Sequence, residues 1–295
     1  MNQKQFLAAD KADQFSYDKA SVVILPAPYE HTSSYGKGSK DGPEAIINAS
    51  HFVEFYDEEI NDEPFRKHGI HTLTPLDFKH RVDRKAVDLI KSHCAEHIDA
   101  DKFLVMLGAE HTCTLGAFEA FDERIDNLSV LQLDAHSDLR EQYESNPYSH
   151  ASVMARINER GPKIAQLGIR ALCSEEASLI ASSPRIETVF AYELSTRTNW
   201  QQEIADHLTE NVYVTIDADG FDPSIIPGTG TPEPGGLQWY ETLTFLKHIF
   251  TTKNVVGFDI AECSPRPDEI ISEFTLAKLL YKLVGYRYLN QNLNK

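Results

Sequence analysis

The sequence predicts an α/β fold with a mostly parallel central sheet covered by helices on both faces. Three observations predict it: short apolar runs recur along the 295 residues, helix-length segments separate them, and the runs lack polar alternation. In order, the candidate strands are 21–25, 102–107, 129–133, 164–168, 188–191, 212–216 and 255–260. Between the first strands, residues 84–98 place Ala86, Val87, Ile90 and Cys94 on one helical face. Segment 239–250 carries Leu243, Leu246, Ile249 and Phe250 at similar spacing, and 274–286 closes the chain with a third helical pattern. The stretch P-G-T-G-T-P-E-P-G-G at 227–236 is expected to be a loop, with glycines where other residues do not fit. It is not a phosphate-binding loop, because no G-K-[S/T] follows and no strand directly precedes the glycines. No Ser/Gly-rich or charged run separates two halves, so residues 1–295 read as one domain.

Composition narrows the function. The chain has 28 basic and 45 acidic residues, a formal charge of −17, and no basic stripe to meet phosphates, which argues against nucleic acid. Excess negative charge either draws in a cationic substrate or simply keeps the protein soluble, and composition leaves both open. Cys94, Cys113, Cys173 and Cys263 are widely spaced without a C-x-x-C pair, as expected for reduced thiols in the cytoplasm. The first fourteen residues have no apolar core, so no secretory signal is expected. No apolar run approaches the ~18 residues of a membrane span.

Three segments place metal-binding side chains directly beyond apolar strands. L-G-A-E-H ends in His111, L-Q-L-D-A-H-S-D carries Asp134, His136 and Asp138, and V-T-I-D-A-D carries Asp217 and Asp219. Glu262 follows a fourth strand. Open parallel sheets bind ligands beyond the carboxyl ends of their strands. Alternate residues of an extended segment point the same way, so one strand end aims Asp134, His136 and Asp138 at one point. A lone D-x-D is more often a turn or a helix cap, and a lone histidine is more often just hydrogen-bonded. Three segments with one arrangement shift that balance to metal, because buried carboxylates are costly unless paired or metal-bound. Four carboxylates and two imidazoles suit two divalent cations. Oxygen predominates and cysteine is absent, favouring a hard ion such as Mn²⁺ over tetrahedral Zn²⁺; the discontinuous ligands do not form a calcium loop. Bound divalent ions lower the pKa of water to about 7, so the reaction class is metal-assisted hydrolysis.

At this point the chain resembles the ureohydrolase family, which includes arginases and agmatinases. The resemblance runs through Y-G-K-G-S-K-D-G-P-E-A-I, G-A-E-H-T, L-D-A-H-S-D-L-R, Y-S-H-A-S-V-M, L-G-I-R, D-A-D-G-F-D-P-S-I-I-P-G-T-G-T-P-E-P-G-G and F-D-I-A-E-C-S-P. It implies a three-layer α-β-α fold and hydrolysis of a guanidinium to urea and an amine. It also implies two Mn²⁺ per subunit, held by His111, Asp134, His136, Asp138, Asp217 and Asp219. Glu262 falls on the family's substrate-contacting carboxylate and His150 on its proton shuttle, and Asp138 is placed to orient the nucleophile. A homo-oligomer, trimer or hexamer, is implied as well. These roles suit the chemistry: a guanidinium stays cationic up to a pKa above about 12, and the leaving amine needs a proton.

Substrate is read from the segments that differ within the family. Residues 139–148, L-R-E-Q-Y-E-S-N-P-Y, lack the Asn/Ser pattern with which arginases grip an amino acid, and Y-S-H-A-S-V-M resembles agmatinases. Agmatine is therefore the expected substrate and putrescine the product, with Glu233, Glu141 and Glu144 as candidates to meet the terminal ammonium. Arg140 points elsewhere: directed into the pocket, it favours a carboxylate-bearing guanidine such as 4-guanidinobutyrate. Arginine and free guanidine complete the alternatives. G-A-E-H-T departs from the usual G-G-[D/E]-H-S at Ala109, whose methyl group bears on the fine geometry at His111. A deacetylase-like relative needs one zinc and fewer aspartates, and a non-catalytic homologue is expected to have lost a ligand or Glu262.

Overall fold

A computed structural model describes residues 4–7 and 15–292, with side chains as far as 289. Most of the N-terminal stretch in which no signal is expected therefore lies outside the described residues. Among those described, eight strands form one sheet: β1 (Val22–Ala27), β2 (Ile70–Thr72), β3 (Phe103–Gly108), β4 (Leu128–Leu133), β5 (Ile164–Ile169), β6 (Ile186–Phe190), β7 (Asn211–Asp217) and β8 (Asn254–Ala261). Their order is β2-β1-β3-β8-β7-β4-β5-β6, and every pairing is parallel. β2 is the strand that the sequence does not announce; three residues are too few to stand out as an apolar run.

The helices are α1 (Gly42–Ser50), α2 (Pro64–His68), α3 (Arg84–Asp99), α4 (Cys113–Asp122), α5 (Val153–Glu159), α6 (Ser174–Ser182), α7 (Trp200–His207), α8 (Trp239–Thr252) and α9 (Ile271–Asn292). They make two outer layers. Val22 and Ile24 join a cluster with side chains of α1, α7, α8 and α9, whereas Val23 and Leu25 join a second with α3, α4 and α5. Alternate residues of one strand thus feed opposite cores, which explains the absence of polar alternation. Each fully buried Leu or Val contributes about 1.5–3 kcal/mol, so both layers are held firmly. No helix among the described residues is long and apolar enough to cross a membrane.

Two features aim the sheet at one place. β3, β8, β7 and β4 are consecutive at its centre, and being parallel they end on the same edge. Their successors in the chain therefore meet although they lie far apart in sequence. Close packing at that edge needs Gly220, just beyond β7: a Cβ there would sit 2.8 Å from the Asp134 nitrogen. The 227–236 loop is closed in a similar way, since a Cβ on Gly36 would lie 2.7 Å from the Gly230 carbonyl oxygen.

Candidate metal centre

β3 runs into a turn that carries His111 to the start of α4, and β4 runs into Asp134, His136 and Asp138. β7 ends on Asp217, whose Oδ1 accepts the Asp219 N–H at 2.8 Å. Two sets of ligand atoms converge here, His111 with Asp134 and Asp217, and Asp134 with His136 and Asp219, each within 4.8 Å. Asp134 belongs to both. Its Oδ2 lies 3.0 Å from His111 Nδ1, while Oδ1 lies 3.7 Å from His136 Nδ1. A carboxylate with one oxygen toward each set has the geometry of a bridge. Asp138 stands outside both sets, with Oδ2 2.9 Å from His111 Nδ1.

The electrostatics of this pocket call for cations. Burial pushes Asp138 up to about 7, and burial with Asp219 nearby raises Asp217 well above the carboxylate range. Against its burial, hydrogen bonds with His111 and His136 hold Asp134 low. Against burial again, Asp219 and Asp134 drive His136 up to about 12. Carboxylates that resist ionisation beside imidazoles that hold their protons mark a site short of positive charge. Oxygen-rich donors with two imidazole nitrogens fit divalent ions there.

Second partners orient the ligands. His111 Nε2 lies 2.8 Å from Thr215 Oγ1, and Thr215 donates its hydrogen to Asp259 Oδ1 at 2.8 Å. Against its burial, hydrogen bonds with Asp134 and Asp138 raise His111 well above the usual histidine range; with Nε2–H given to Thr215, a bound cation would take the place of the proton on Nδ1. Asp259, wholly buried in β8, also accepts from Thr114 Oγ1 at 3.0 Å and Tyr213 OH at 2.6 Å. On the other flank Gln132 Nε2 donates to Asp134 Oδ2 at 2.8 Å. Gln166 donates to Gln132 at 2.6 Å and Thr188 to Gln166 at 2.9 Å, a polar row across β4, β5 and β6.

A cleft of about 420 Å³ opens over the ligands, with Tyr35, Arg140, Tyr143, His150, Glu176 and Glu262 in its wall. Glu262 and Asp138 both have left-handed backbones, φ 60° and 53°. Such residues cost on the order of 1–3 kcal/mol each and cluster at functional positions. Glu262 is pinned by its N–H to the Ala109 oxygen at 2.6 Å and by its Oε1, which accepts the His111 N–H at 2.8 Å. Burial, with Glu110 nearby, raises it well above the usual range. His150 Nδ1 lies 3.0 Å from Thr32 Oγ1, and burial lowers its pKa to about 4.

Residues 20–285 match the model of the arginase family. The chain belongs to that family. It is 43% identical over 289 residues to the N(1)-aminopropylagmatine ureohydrolase of Synechocystis, covering 96% of this chain and 94% of that one. It is 34% identical over 270 residues to the agmatinase of Pyrococcus horikoshii, covering 90% and 92%. The solved agmatine ureohydrolase of Thermoplasma volcanium superposes with a TM-score of 0.84 at 27% identity, covering 100% of this chain and 98% of that one. The protein is therefore a ureohydrolase, a hydrolase of guanidino groups, in a family of binuclear metal enzymes.

In this arginase-family cleft the outer residues fall differently from the sequence expectation. Glu233 does not line the cleft; its carbonyl accepts from Arg170 Nη2 at 2.9 Å. Glu141 is exposed and pairs with Arg156 at 3.2 Å, and Glu144 is likewise absent from the cleft wall. Arg140 does line it, with Nε 3.7 Å from Glu176 Oε2 and its guanidinium 5.7 Å from the Tyr143 ring centre. Ala109 is not among the positive-φ residues, so its methyl group imposes no backbone strain.

Several supporting residues escape sequence reasoning. Arg170, from L-G-I-R, donates to the carbonyls of Gly168, Asp219, Gly220, Phe221 and Glu233 and so straps the 219–233 segment to β5. Asp259 does leave a signal, since a charge inside an apolar strand demands a partner. Glu110, wholly buried beside His111, and Thr32, in an ordinary polar loop, leave none.

Proposed function

We propose that the protein hydrolyses a carboxylate-free guanidino amine of the agmatine type to urea and the free amine. The observation that carries this reading is a single cleft lined by His111, Asp217, His136 and Asp219 of the two sets together with Glu262 and His150. Glu262 Oε1 is engaged by the His111 amide, so Oε2 remains for the substrate. A guanidinium with a pKa above about 12 donates to it as a charge-assisted pair and offsets the burial that raises Glu262. His111, Asp134, Asp217, His136 and Asp219 would hold two divalent ions such as Mn²⁺, which would acidify a bound water to a pKa of about 7. Asp138, beside His111, orients the attacking water toward the guanidinium carbon, and His150 takes up a proton released by that water and passes it to the departing amine. The balance closes: a guanidinium and water give neutral urea and an alkylammonium.

The substrate tail is read from chemistry shared by the relatives. The names of the Synechocystis and Pyrococcus proteins both describe an agmatine skeleton, with an added aminopropyl arm in the first. Neither carries a carboxylate. Agmatine and N(1)-aminopropylagmatine are therefore the substrates of this reading. Arg140 favours a different substrate, 4-guanidinobutyrate, because a cation in the wall suits a carboxylate tail; Glu176 and the Tyr143 ring offset part of its charge. The reading includes two Mn²⁺ per subunit and a homo-oligomer, which metal analysis and light scattering of the loaded protein test.

Urea release by the Mn²⁺-loaded protein discriminates among agmatine, N(1)-aminopropylagmatine, L-arginine, 4-guanidinobutyrate and free guanidine. Preference for either of the first two is expected. Faster turnover of a carboxylate-bearing guanidine overturns the tail assignment, and absence of urea from all five with metal bound overturns the reaction.

A further inference from the structure

We propose that Thr32 and Glu110 are positioning residues for His150, holding its hydrogen on Nδ1 and leaving Nε2 bare toward the cleft. The inference rests on the proton-delivery role proposed for His150. It follows from counting hydrogens. Thr32 Oγ1 has one hydrogen and two lone pairs. Its neighbours are Glu110 Oε2 at 2.9 Å, His150 Nδ1 at 3.0 Å and the His150 amide N–H at 3.1 Å. Glu110 also collects the His31 N–H on Oε1 at 2.8 Å and the Thr32 N–H on both oxygens, at 2.9 and 2.7 Å.

A carboxylate accepts, so the Thr32 hydrogen is committed to Glu110. Both Thr32 lone pairs then receive His150, one from its amide and one from Nδ1–H. With the hydrogen on Nε2 instead, the Thr32 hydrogen would have two acceptors to serve, and one would lose its partner. Glu110 is wholly buried, and neither it nor Thr32 lines the cleft, whereas His150 does. The pair thus acts through the imidazole. Glu110 also precedes His111 in the chain, and its N–H bonds to the Tyr29 oxygen at 3.1 Å. The turn bearing His111 and the turn bearing His150 are thus tied through the Glu110 carboxylate and the Thr32 hydroxyl.

Nitrogen-15 NMR of histidine-labelled, full-length protein loaded with diamagnetic Mg²⁺ tests this without any substitution, with His150 assigned by its loss in His150→Asn. The expected spectrum has a protonated Nδ1 and a bare Nε2; a ring protonated on Nε2 overturns the proposal. In kinetics, Thr32→Val is expected to lower kcat about 10–100-fold with KM and metal content unchanged, and Thr32→Ser to restore it. Wild-type kcat and tautomer in Thr32→Val overturn the positioning. Wild-type kcat in His150→Asn instead overturns the proton-delivery role, so the two failures are told apart.

Discussion

His111 on the floor of the cleft and His150 on its wall are held by similar partners turned opposite ways. His111 gives its Nε2 hydrogen to Thr215, which gives its own to Asp259. On our proposal His150 gives its Nδ1 hydrogen to Thr32, which gives its own to Glu110. A hydroxyl between imidazole and carboxylate sets which nitrogen is bare. At the floor the atom left for a cation is Nδ1, which faces Asp134, Asp138 and Asp217. At the wall it is Nε2, free to carry a proton. The supports differ too: Thr215 and Asp259 are strand residues in the sheet centre, whereas Thr32 is a loop residue. The floor gains its rigidity from β7 and β8, and the wall from a single buried glutamate.

The largest expected effect comes from the residue common to both ligand sets. Asp134→Ala is expected to lose both ions and all urea release; retention of one ion per subunit in elemental analysis would show that Asp134 does not bridge. His150→Asn comes next, with kcat lowered on the order of 10²–10⁴-fold and both ions kept. A drop in metal content there would place His150 on the floor rather than the wall. Thr215→Val and Asp259→Asn are expected to weaken metal binding about 10–100-fold at the His111 set, leaving the His136 set occupied at limiting metal. Calorimetric titration reads this as a weakening of one site relative to the other, and unchanged isotherms would dissolve the contrast with Thr32. Arg140→Ala is expected to have the smallest effect, since the Arg140 side chain is partly exposed and only loosely paired, 3.7 Å from Glu176. It should lower kcat/KM for 4-guanidinobutyrate relative to agmatine a few-fold, and an equal change for both substrates would remove Arg140 from tail selection.

Much of the fold was legible because its signals are local. Seven apolar runs of four to six residues correspond to β1 and β3–β8, with ends displaced by two residues at most. β2 was hidden by its length, and its three residues gain strand geometry only by pairing with β1. The last helix extends beyond the helical pattern read at 274–286, running from Ile271 to Asn292. The residues drawn together at the floor were legible for a similar reason: apolar strands stop abruptly, and i, i+2, i+4 spacing points side chains the same way.

By itself, then, the sequence determined which strand ends bring together side chains able to hold divalent cations, since periodicity and composition act over a few residues. Only the tertiary structure decided that Asp134 is shared, that Glu233 lies outside the cleft and that Arg140 lies in its wall. It alone decided the partners of each imidazole, because Thr32 and Glu110 are 78 residues apart and His111 and Thr215 are 104 apart. Hydrogen bonds across such separations have no local signature. They exist only once the order β3-β8-β7-β4 has brought the strand ends together.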